Sequence, residues 1–108
     1  MNRLVLSATL VERAAQRYTP AGLPALDLSL KHESEVSEDG KPRKVSMEMK
    51  AVAIGAVTRV LAPLALGSEA LYAGFITSAR NGKGLLFHIT SVESVNVVDS
   101  ATESSGSN

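Results

Sequence analysis

The chain has 108 residues, 44% of them hydrophobic, with 11 basic and 11 acidic side chains and no cysteine. That length fits one domain around one core and leaves no room for a second domain or a large internal catalytic cleft. The missing cysteines exclude disulfides, thiolate nucleophiles and cysteine-ligated metals, and the even charge balance leaves any phosphate binding to a local basic patch rather than to the total.

The N-terminal apolar run Leu4 to Leu6 is too short for a signal-peptide core. No other stretch is long enough to span a bilayer, so a cytoplasmic protein without membrane contact is expected. Arg3 to Val11 alternates, with Leu4, Leu6, Ala8 and Leu10 opposing Val5, Ser7, Thr9 and Val11, and period 2 with β-branched residues predicts a first strand. Glu12 to Leu23 is polar and holds Pro20 and Gly22, the composition of a loop. A second strand follows over Ala25 to Glu33, where Leu26, Leu28 and Leu30 face one way and Asp27, Ser29 and Lys31 the other. Ser34 to Lys44 is dense in charge around Asp39-Gly40 and Pro42 and reads as a solvated hairpin connection. A third strand is predicted over Val45 to Ile54, a short helix over Ala56 to Ala62 stopped by Pro63, and a fourth strand over Glu69 to Ser78. Asn81-Gly82 is hairpin chemistry, and Leu85 to Val98, rich in Val and Ile, predicts a fifth strand bent near Thr90-Ser91. The boundaries drawn are one domain over 1–99 and a disordered tail over 100–108. Five meandering strands with at most one short helix, between strands three and four, suggest an all-β, five-stranded OB-fold barrel, although the periodicity alone fits other small barrels.

Nothing in the sequence forms a catalytic constellation, and no cofactor or metal ligand set is expected. His32 and His88 lie far apart and outside any metal-binding spacing, so each reads as a strand histidine satisfied by a neighbour. No serine sits in a nucleophile elbow. Glu33, Glu35, Glu38 and Asp39 cluster on a solvated segment, where a general acid–base pair would lack the desolvation that tunes it.

Binding is better served. Arg13, Arg17 and Tyr18 fall in the connection between the first two strands, and Arg80 and Lys83 in the connection between the last two. In an OB fold these connections flank the oligonucleotide face of strands two and three, where Lys31 sits on the outward face of strand two and Arg43, Lys44 and Lys50 add charge on the strand-three side. The same residues also read as ordinary surface charges, and the residues alone leave the two readings level. Of the four aromatics, Tyr18 is the one outside a predicted strand; Tyr72, Phe75 and Phe87 are expected in the core or at an interface.

Asn2-Arg3-Leu4-Val5-Leu6-Ser7 resembles the first strand of single-stranded DNA-binding proteins, and Gly67 to Ile76 resembles their fourth. Within that superfamily several further segments are similar to the primosomal replication protein N family of bacterial replication restart. They are Pro20-Ala21-Gly22-Leu23-Pro24, Leu30 to Ser34, Gly74-Phe75-Ile76, and Asn81-Gly82 ahead of a strand with His88. The tail, which ends Ser104-Ser105-Gly106-Ser107-Asn108 instead of in acidic and apolar residues, fits that branch better than the general single-strand binders. The resemblance implies a homodimeric OB fold that binds single-stranded DNA, joins the restart helicase at stalled forks and hands over to the helicase-loader protein. The chain departs from the family pattern in having Ser46 where an exposed tryptophan is usual, Glu33 at a usually basic position, and a shorter, less lysine-rich loop before the last strand; Arg17 keeps a basic position. The alternative on these residues is a protein–protein adaptor on the same scaffold with little DNA affinity.

Overall fold

The computed structural model describes residues 1–94. The tail predicted over 100–108 and the part of the last strand predicted beyond 94 lie outside the described residues. The elements run β1 Leu4–Arg13, β2 Arg17–Tyr18, β3 Pro24–Glu38, β4 Lys41–Ile54, a 3-10 turn Gly55–Val57, α1 Thr58–Leu61, β5 Glu69–Ser78 and β6 Leu85–Ser94. β5 and β6 flank each other, β6 runs parallel to β4, and β3 returns to pair with β1, so β1, β5, β6, β4 and β3 close a five-stranded barrel. The short β2 adds a rim on the outer edge of β3, pairing Arg17 with Ala25 and Tyr18 with Pro24.

The alternation read in the sequence is the barrel's inside and outside. Leu6, Ala8, Leu10, Leu26, Leu28, Leu30, Ala51, Ala53, Tyr72, Phe87 and Ile89 all point inward and are buried. Leu61 from α1 plugs one end of the barrel at 0% exposure. Burial of large aliphatic side chains at about 25 cal/mol per Å² of apolar surface is the main favourable term here. The predicted helix over Ala56 to Ala62 is present in shorter form. The Thr58 hydroxyl donates to the Gly55 carbonyl at 2.7 Å, one α-turn follows, and Pro63 ends it.

Two predictions need correction. Ser34 to Lys44 is solvated as expected, but it is not a connection: β3 and β4 continue through it in unbroken register, from Ser34 opposite Val45 to Glu38 opposite Lys41. The turn is only Asp39-Gly40, with φ of +53° and +78° at the two residues, as a tight primed hairpin turn demands. The result is an arm projecting beyond the barrel. Arg43 and Lys44 are therefore strand residues. Likewise, Arg13 belongs to β1 rather than to a loop, and Arg17 and Tyr18 form β2.

The bend expected near Thr90-Ser91 is a β-bulge: Ala73 pairs with Ser91 and Gly74 with Ile89, leaving Thr90 unpaired. The Thr90 hydroxyl donates to the Ala73 carbonyl at 3.2 Å. Gly74 is required at this crossing, because a Cβ there would lie 1.8 Å from the His88 carbonyl oxygen. Among the described residues no helix is long and apolar enough to cross a membrane.

Candidate nucleic-acid interface

Residues directly opposed in a sheet share a face, so the register fixes which side chains line the outside of the barrel. On the hairpin, Asp27 opposes Val52, Ser29 opposes Lys50, Lys31 opposes Glu48, Glu33 opposes Ser46 and Glu35 opposes Lys44. Lys31, Lys44 and Lys50 thus stand on one surface with three carboxylates between them. Arg43 projects from the other face of the arm, opposite Val36, and pairs with Glu38 at 3.0 Å.

At the barrel end of this surface two connections converge. Arg17, on β2, makes a two-pronged contact with Asp27: Nε donates to Oδ2 at 2.7 Å and Nη2 to Oδ1 at 3.0 Å. Both side chains remain nearly half exposed. The Arg17 hydrogen bonds hold the Asp27 carboxyl below the usual carboxylate range against partial burial, helped by the charges of Arg17 and Arg80. The same contact raises Arg17 above its ordinary value. Arg80 comes from the connection before β6, whose shape is set by Gly82 N–H donating to Ala79 and Lys83 N–H donating to the Asn81 side chain. A guanidinium from each connection therefore acts on one carboxylate at the start of β3.

Lys50 donates to the Ser29 hydroxyl at 3.1 Å, and that hydroxyl donates to Glu12 at 3.3 Å. These residues, with Arg13 and Asp27, line an open groove of about 310 Å³. Arg13 has a different occupation from the one expected of it. Its Nη1 donates to the carbonyls of Leu64 at 2.5 Å and Leu61 at 3.4 Å, tying β1 to the end of α1. Lys31 lies 4.0 Å from Glu33. Tyr18 is 66% exposed, and its hydroxyl accepts from the Gln16 amide.

His32 is a satisfied strand histidine, as expected. Nδ1 donates to the Ser7 carbonyl at 2.6 Å, and Nε2 meets the Ser34 hydroxyl at 2.8 Å. Tyr72 and Phe87 are core, at 0% exposure. Phe75 is not: it stands on the outer face, 37% exposed, stacked on the His88 ring. The sequence left it between core and interface, because a single aromatic in an alternating strand does not say which face is the inner one. The structure places it outside, since Ala70 and Tyr72, on the opposite parity of β5, are fully buried. Among the described residues no group of three or more His, Cys, Asp or Glu is placed to hold a metal ion.

A family model described as another single-strand binding protein family matches residues 2–91. The replication restart protein PriB of Bordetella pertussis is 52% identical over 80 residues, covering 74% of this chain and 75% of that protein. The chain belongs to the PriB family. PriB of Photorhabdus laumondii is 32% identical over 100 residues, 92% of this chain and 95% of that protein. The solved PriB of Ralstonia solanacearum superimposes with a TM-score of 0.80 at 39% identity, covering 88% of this chain and 98% of that one. The single-stranded DNA-binding protein of Thermus aquaticus shares the fold, with a TM-score of 0.69 at 23% identity over 88% of this chain and 50% of that one. The barrel is thus the OB fold of the single-strand binding superfamily, and this PriB-family chain builds it with a long β3–β4 arm and without a tryptophan.

Proposed function

We propose that this PriB-family chain is a non-enzymatic, cytoplasmic accessory protein of replication restart that binds single-stranded DNA across the outer face of β3 and β4. The observation that carries the reading is Arg17, held in a two-pronged contact on Asp27 at the barrel end of that face, where the charge of Arg80 acts on the same carboxylate. Lys50, Lys31 and Lys44 extend the basic positions along the strands, Lys83 flanks Arg80, and Tyr18 offers an exposed ring beside Arg17. Phosphates need cations along a groove, and this is the surface that supplies them.

In this reading the protein acts as a homodimer, stabilises the restart helicase on DNA and helps to recruit the helicase-loader protein. Support for dimerisation comes from the family resemblance and from β1, which pairs with β3 only from Thr9 onward and so presents the edge of Leu4 to Ala8.

A second reading, a protein–protein adaptor with little DNA affinity, is favoured by one specific observation. Arg17, Lys31 and Arg43 each already face a carboxylate, and Arg13 is spent on backbone carbonyls. The deciding experiment titrates the protein into labelled single-stranded DNA with and without the restart helicase. The main reading predicts binding by the protein alone and a tighter ternary complex; an adaptor binds only when the helicase is present.

A further inference from the structure

Single-strand binders hold bases on aromatic faces, and the outer positions of β3 and β4, from Asp27 to Glu35 and from Lys44 to Val52, carry none. The register supplies a substitute elsewhere. Asp27 on β3 opposes Val52 on β4, Val52 opposes His88 on β6, and His88 opposes Phe75 on β5. These four residues form one outward row across four strands. Its first member is held by Arg17 and felt by Arg80. Its last two are aromatic rings stacked with centroids 4.7 Å apart and planes 13° from parallel. Between them Val52 is only 4% exposed, and Ile54, two residues on and on the same face, is 39% exposed.

We propose that Phe75, backed by His88, is a base-stacking platform of this chain, on which a nucleobase rests while phosphates further along the strand meet Arg17 and Arg80. The inference rests on the proposed binding of single-stranded DNA and names a residue for it that lies outside the β3–β4 strands. The cross-strand stack orders the Phe75 ring before any ligand arrives, so little side-chain freedom is lost on binding. The chemistry fits a base, because the row ends in two stacked rings that present a flat apolar face. The stack tolerates any base, since every base presents a π-face.

The test compares the parent, Phe75→Leu and Phe75→Trp on two labelled strands, one of oligothymidine and one of the same length with abasic sugars. Phe75→Leu should weaken oligothymidine binding at least about fivefold, the lower end of a single base stack, and leave abasic binding unchanged. Phe75→Trp should keep oligothymidine binding at the level of the parent. It also introduces the protein's sole tryptophan, since the chain has none. Its emission should be quenched by oligothymidine and not by the abasic strand. Unchanged emission at saturating oligothymidine, or a Phe75→Leu loss equal on both strands, would overturn the platform. Failure of the parent to bind either strand would instead remove the DNA-binding reading beneath it.

Discussion

At the residue scale, burial without a partner is the feature with the clearest consequence. The Tyr72 hydroxyl sits inside the barrel, fully buried, with no hydrogen-bond partner. Burial disfavours its phenolate and raises its pKa above the ordinary value of 10.0. The folded state therefore keeps this proton where the unfolded chain begins to lose it. The contribution of Tyr72 to stability is constant below about pH 10 and falls as pH rises beyond it. Tyr72→Phe keeps the shape and removes the orphaned hydroxyl. It should melt higher than the parent at neutral pH, by up to about 1 kcal/mol or roughly 4–8 °C for a domain of this size. The gap should widen above pH 10, as measured by thermal melts followed by circular dichroism. A variant that melts lower than the parent would mean that the hydroxyl has a partner in solution. Gly74 is the opposite case, a position where the backbone of β6 leaves no space for any side chain.

At the element scale, the barrel strands were legible in the sequence and the arm was not. Leu26, Leu28 and Leu30 alternate because one face of β3 is buried, and burial is what writes a period of 2 into a strand. Beyond Lys31 the same strand leaves the barrel, the selection for apolar residues on one face lapses, and Glu35, Glu38, Lys41 and Lys44 pair across the arm instead. Such a segment has the composition of a loop and the hydrogen bonding of a sheet. The short β2 could not be read either, since two residues carry no period. The β5–β6 connection was legible in place but not in turn type, since six residues separate the paired Ser78 and Leu85 and Asn81-Gly82 is not a primed two-residue turn; its role is testable. Arg80→Ala combined with Lys83→Ala removes two exposed charges, so the fold should change by less than about 0.5 kcal/mol. Single-strand binding should weaken, and the log–log salt dependence should flatten by roughly 1.4, at about 0.7 per phosphate contact. Glu35→Ala with Glu38→Ala, on the arm, serves as the control and should not weaken binding. A double Arg80/Lys83 variant that binds like the parent at low salt would take this connection out of the site and favour the adaptor reading.

At the scale of the whole molecule, a closed barrel removes most strand edges but leaves Leu4 to Ala8 of β1 paired on one side, with His32 covering the Ser7 carbonyl. Pairing of this edge with a second copy would complete the sheet. Sedimentation at tens of micromolar should give a dimer, and a monomer there would contradict this assembly. The central claim, that the β3–β4 face with Arg17 and Arg80 binds single-stranded DNA through its phosphates, is tested most directly by one measurement. It is an anisotropy titration of a labelled single strand repeated over a series of salt concentrations. With three to four phosphates met by groups such as Arg17, Lys50, Arg80 and Lys83, log K should fall against log[salt] with a slope near −2 to −3, at about −0.7 per phosphate. Absence of binding at low salt, or a binding constant indifferent to salt, would contradict the account.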